Sequence, residues 1–142
     1  MNDNKLTTKE SSIIFYLDSN LKVYRLDLVN SELKLIDRLE KLNGRLDLSS
    51  RFDSFWKELY AANLLESSSI AFIIGNRAGF NDTRIIYIWL KSHMMFNNTS
   101  IKTKRVDNKL SQDEVLQALL SSNSDFVNID HLSYSHEPRI GK

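Results

Sequence analysis

The sequence has no cysteine, so it cannot build a disulfide framework, a thiolate metal site or a thiol nucleophile. One proline and four glycines in 142 residues leave regular elements uninterrupted, and each glycine marks a position that asks for a reason. Nineteen basic against eighteen acidic residues give a net charge of +1, too little for a global field that would recruit nucleic acid or a membrane. No apolar run approaches the ~20 residues that span a bilayer, and the polar lead 1–10 has no apolar core of a signal peptide. The expectation is a soluble cytoplasmic protein without a membrane partner. What remains is ordinary: 42% hydrophobic and 26% charged residues predict one domain with a real core.

The chain is organised around residues 70–96. A short β-branched run, Ile70 to Ile74, ends at Gly75, and a loop with a second glycine, Gly79, leads into a longer apolar stretch. The first run has strand length and the second helix length. Asn81, Asp82 and Thr83 are residue types that accept from the free N–H groups of a helix start. At ~100° per residue, Ile85, Ile88, Trp89, Met95 and Phe96 gather on one side of the helix, and Ile86, Tyr87, Leu90 and Met94 on the other. Arg84 and Lys91 mark one border, Asp82 and His93 the other. A helix lying on a sheet needs one apolar stripe. A helix with two is either sandwiched within its own chain or half of an interface.

Before this stretch, 12–17, 21–28 and 32–39 read as three strands joined by Asp18-Ser19-Asn20 and Asn30-Ser31 turns, an antiparallel meander. The first is apolar throughout, as for a strand covered on both faces. Ser49 or Ser50 caps a predicted helix at 50–65, with Phe52, Phe55, Trp56, Leu59 and Ala62 at helical spacing. Downstream, 100–106 alternates as an edge or near-edge strand. Ser111 and Glu114 have capping-box spacing before a third helix, and Phe126, Val127 and Ile129 offer one more strand. The domain is expected over 11–130, followed by a polar tail, 131–142. The predicted class is α/β, a mixed sheet of about five strands with three helices, in the order of the ribonuclease H-like fold (one half of an actin-like ATPase).

Candidates for chemistry are few. Asp18, at the end of the first strand, reads as a turn former or as a metal ligand that would need further carboxylates beside it. Gly75 to Gly79 reads as a phosphate cradle at a helix N-terminus or as tight-turn glycine with positive φ; no Lys-Ser/Thr follows, so it is not a P-loop. His93, His131 and His136 have no zinc spacing. Lys102, Lys104 and Arg105 read as a charged edge or a phosphate contact. No catalytic residue, metal or cofactor is expected.

Two segments carry a family resemblance. Ile14-Phe-Tyr-Leu-Asp18-Ser19 resembles the apolar strand ending in Asp-Thr-Ser of the TsaB (YeaZ) family. Ser69-Ile-Ala-Phe-Ile-Ile-Gly75-Asn-Arg-Ala-Gly79-Phe-Asn-Asp-Thr-Arg84-Ile85 resembles its Gly-x-Gly-Pro-Gly-Ser-Phe-Thr-Gly-Leu-Arg-Ile signature, with Lys91 on the lysine of the following helix. Order and spacing agree from about 13 to 120. The family's loop proline is absent, its second actin-like half has no counterpart in these residues, and Ile86, Ile88 and Leu90 stand where it has small residues, which implies a wider helix contact. The resemblance implies a non-catalytic protein that pairs with TsaD, the catalytic subunit of a complex that places threonylcarbamoyl on adenosine 37 of tRNA. TsaE is a further partner, tRNA is met only indirectly, and a homodimer stands as the other pairing. It also implies contact through the helices at 50–65 and 82–96. The expected interface is Tyr60, Leu64, Arg84, Ile86, Tyr87, Leu90 and Met94, with Gly75 and Gly79 in the adjoining loop. Different readings are an enzyme of the same fold using Asp18 with Mg²⁺, and a self-associating structural domain.

Overall fold

The computed structural model describes residues 11–65, 69–97, 99–121 and 126–129. Its centre is β1 (Ser11–Leu17), every residue of which is buried. β1 pairs antiparallel with β2 (Leu21–Asp27), and β2 antiparallel with β3 (Glu32–Leu39), with a register shift at Val23/Tyr24. On its other side β1 runs parallel to β4 (Ser69–Ile74), with Ile14 opposite Ala71 and Leu17 opposite Ile74. β4 runs parallel to β5 (Ser100–Arg105), and the two-residue β6 (Val127–Asn128) closes antiparallel on β5. The strand order is β3-β2-β1-β4-β5-β6. Among the described residues the fold is therefore α/β, a mixed sheet of six strands with three helices.

Helices α1 (Leu48–Ala61) and α2 (Phe80–Asn97) cover one face, and α3 (Gln112–Leu120) the other. The period of two along β1 divides the core. Ile13, Phe15 and Leu17 join Phe52, Phe55, Trp56, Ile86 and Leu90 under α1 and α2. Ile14 and Tyr16 join Tyr24, Ile73 and Val115 under α3. Tyr16 is tied at its polar end, its hydroxyl accepting from the Leu110 N–H at 2.9 Å.

Helix ends differ from expectation in instructive ways. The Ser111–Glu114 capping box is present in both directions, at 3.2 and 2.8 Å. Neither Ser49 nor Ser50 caps α1: Asp47 occupies the cap position in left-handed conformation without a side-chain cap bond. The Leu48 N–H is instead bonded by Asp82 of α2. Burial pushes the Asp82 carboxyl up, and that bond works against the rise. α1 stops at Ala61 rather than 65, because Asn63 takes a left-handed φ of 59°, a conformation Asn tolerates and a helix does not. α2 starts at Phe80, two residues earlier than expected. The polar tail 131–142 and the histidines His131 and His136 lie outside the described residues.

Two substitutions should separate core from surface. Phe72→Ala, at a fully buried site, should lower unfolding free energy in urea by about 3–5 kcal/mol. Met95→Ala, 73% exposed, should stay within about 0.5 kcal/mol of the parent.

Candidate docking face and loop cleft

Helical periodicity found two apolar faces on α2 but could not say which one meets the sheet. The structure decides. Ile86, Tyr87 and Leu90, expected in a partner interface, are buried in the core under α2. Their burial corrects the assignment of faces: these three side chains already fill the space above β1, β4 and β5. Met94 and Leu64 are half-buried against the same core, whereas Tyr60 and Arg84 are exposed. Arg84 lies over the Phe80 ring, 5.6 Å from its centroid.

The face left outward is the opposite one. Ile88 is 50% exposed, Met95 73% and Phe96 85%. Ile85 and Trp89 from the same side are half-buried, because α1 lies along that flank. Trp89 packs on Trp56 and Phe52, with ring centroids 5.4 and 5.9 Å apart. The aromatic content of α1 was the signal that could have fixed the rotation of α2, since Phe52 and Trp56 need large partners. With Tyr60, 55% exposed on α1, the outward residues make an apolar surface shared by both helices.

His93 sits between these helices, 6% exposed. Its ring stands edge-on to Trp56 at 5.7 Å and to Tyr60 at 6.4 Å. Nδ1 meets the Asn97 side-chain amide at 3.1 Å. Burial holds the imidazole below its ordinary value, with the Leu65 backbone pulling the other way.

At the carboxyl ends of β1 and β4, two chain reversals meet. Asp18 is buried, and its Oδ1 accepts from the Arg77 N–H at 2.8 Å. The carboxylate crosses directly over Gly75. A Cβ there would lie 2.7 Å from Asp18 Oδ1 and 2.8 Å from its Cγ. Among glycines with described positions, only Gly44 has positive φ, so backbone handedness is not the reason for Gly75 or Gly79. Gly75 is required by close approach. At Gly79 a Cβ would make only ordinary contact with the Asp82 carboxylate, 3.5 Å from Oδ2 and 4.0 Å from Cγ. Asp18 thus braces the loop and takes one of the N–H groups that a phosphate cradle would offer. Among the described residues no cluster of three His, Asp or Glu side chains is placed to hold a metal ion.

Around these reversals lies an open cleft of about 840 Å³, walled by the β3–α1 loop, the β4–α2 loop and the first turns of α2. Ile85 and Ile88 line it, so it opens beside the outward apolar surface. Lys102 and Arg105, exposed on β5, are not among the cleft residues. Compared with known proteins, the chain matches no family model and no curated protein.

Two measurements test this geometry. Gly75→Ala should cost about 1–3 kcal/mol in the parent but much less in an Asp18→Gly background, which removes the Cβ, Cγ and Oδ1 contacts together, a coupling above ~0.5 kcal/mol in a double-mutant cycle. Because the folded state holds His93 below its ordinary value of ~6.5, the unfolded chain binds the proton first. Stability should therefore fall as pH drops through and below that value, and His93→Gln should flatten the decline of melting temperature between pH 7.5 and 5.5.

Proposed function

We propose that this chain is a non-catalytic, TsaB-like protein of the ribonuclease H-like fold, which docks a TsaD-type catalytic subunit for threonylcarbamoylation of adenosine 37 in tRNA. The observation that carries the reading is the apolar surface on the outward side of α1 and α2: Tyr60, Ile88, Met95 and Phe96 stand exposed together with the edges of Ile85 and Trp89. The resemblance of 14–19 and 69–85 to the TsaB signatures calls for a partner on these two helices. The strand order β3-β2-β1-β4-β5, with a meander followed by parallel strands, supports the ribonuclease H-like assignment.

The role is architectural. Covering Ile88, Met95 and Phe96 would stabilise a complex by at most ~1.5–3 kcal/mol per side chain, enough to bias the partner toward one of its states. No reacting group is contributed. Asp18 supports this division of labour, since it is buried and engaged by the Arg77 N–H rather than presented to a substrate.

Co-expression with the TsaD-type protein of the same cell should yield a complex that survives gel filtration at micromolar concentration. Ile88→Asp with Phe96→Asp should abolish it while leaving the melting temperature of the isolated chain unchanged. No complex with the parent chain would remove the docking role. A complex indifferent to the double substitution would place the contact on another face. An isolated chain that is dimeric by light scattering and does not bind the TsaD-type protein would make a second copy the occupant.

A further inference from the structure

The strand at one edge of the sheet carries main-chain groups that its own hairpin does not use. β3 pairs with β2 on one side, and among the described residues no strand lies on the other. The Leu33 carbonyl faces that open side, where the Gln112 side-chain amide of α3 donates to it at 2.6 Å. An antiparallel strand turns alternate residues toward the same neighbour, so Leu35 presents its N–H and C=O there too. Among the described residues no loop or side chain meets them. The register shift opposite Val23/Tyr24 then breaks the alternation at Ile36. Beyond it the outward groups are closed from within the chain. The Asp37 carboxylate accepts from the Arg38 N–H at 2.8 Å, and the Arg51 guanidinium donates to the Glu40 carbonyl at 2.7 Å. The open stretch is therefore short, Leu33 to Leu35, and Leu35 is 42% exposed.

The charges along this stretch are poorly matched to their own hairpin. Lys34 lies opposite Arg25, and Glu32 opposite Asp27, like against like, an arrangement that weakens a cross-strand contact. Neither Lys34 nor Glu32 has an ion-pair partner among the described residues. A second copy running antiparallel along the open side changes this. Two-fold symmetry with matching side-chain faces sets one residue opposite its own copy, and Leu33, Lys34 and Leu35 are the choices. Centring on Lys34 places two ammonium groups face to face. Centring on Leu35 runs each copy into the interruption of the other at Ile36. Centring on Leu33 does neither. Glu32 then faces Lys34 of the second copy, Lys34 faces Glu32 of the second copy, and the two Leu33 main chains bond each other in place of Gln112.

We propose that the chain associates with a second copy through this edge, β3 against β3 in antiparallel register with Leu33 on the two-fold axis, so that two six-stranded sheets become one. The side chains on both faces suit this register. Leu33 and Leu35 share the face covered by α3, and a groove lined by Leu33 and Leu116 runs between β3 and the first turn of that helix. Pairing covers this apolar border, while the Glu32–Lys34 pairs close the other face. The contact, residues 31–35 of each copy, is small, as in weak and reversible complexes. The inference does not rest on the docking reading and uses none of its residues.

The test follows the mass of the purified chain by light scattering and sedimentation from about 1 µM to about 1 mM. A reversible rise toward twice the chain mass is expected. Lys34→Glu should weaken association about fivefold or more without lowering the melting temperature, because within its own hairpin the substituted position faces Arg25. Glu32→Lys combined with Lys34→Glu exchanges the two charges and should restore association to within about twofold of the parent. Leu35→Pro should abolish it, since it removes an outward N–H that takes no part in the β2–β3 ladder. Ile88→Asp with Phe96→Asp should leave it unchanged. A chain that stays monomeric at about 1 mM, or a dimer indifferent to Lys34→Glu and Leu35→Pro, overturns the proposal. So does a charge exchange that fails to restore association, or a dimer lost only with the helix substitutions, which belongs to α1 and α2 instead.

Discussion

The parallel pairing of β1 with β4 brings Leu17 and Ile74 abreast, and both chains must reverse just beyond that point. Asp18 leaves one strand and Gly75 leaves the other, so the two reversals compete for one volume. The Gly75 N–H bonds the Leu17 carbonyl at 2.6 Å, and the Asp18 carboxylate crosses over Gly75 to meet the Arg77 N–H. This crossing fixes where the β4–α2 loop holds Arg77.

The elements themselves were legible in the sequence because their signals are local. Alternation and apolar runs located β1 to β5, and the Ser111–Glu114 spacing located the start of α3. The relation between elements was not legible in the same way. Periodicity separated Ile86, Tyr87 and Leu90 from Ile88, Met95 and Phe96 correctly, but both sets are apolar, and nothing within α2 ranks them. The ranking comes from neighbours far along the chain. The strands β1, β4 and β5 accept the first set, and Phe52 and Trp56 of α1 draw Trp89 to one flank. The glycine reading failed for a similar reason. Positive φ is a property of one residue, whereas Gly75 is required by a carboxylate that approaches from another strand.

The burial of His93 shows the cost of joining α1 to α2 with aromatic rings. The imidazole fits edge-on between Trp56 and Tyr60, where burial disfavours its charged form. The same pair of helices exposes Tyr60, Met95 and Phe96 on its outer side. The unit thus buries an imidazole within and leaves apolar side chains uncovered without.

Asp82 belongs to one helix and finishes the beginning of another. The first amide of α1 is closed not by a residue of its own turn but by a side chain that arrives only after β4 and the following loop are in place. The start of α1 is therefore coupled to α2 through this one contact. Any force that a bound molecule exerts on the first turn of α2 would be felt directly at the mouth of α1, which makes the pair a mechanical lever rather than two separate struts.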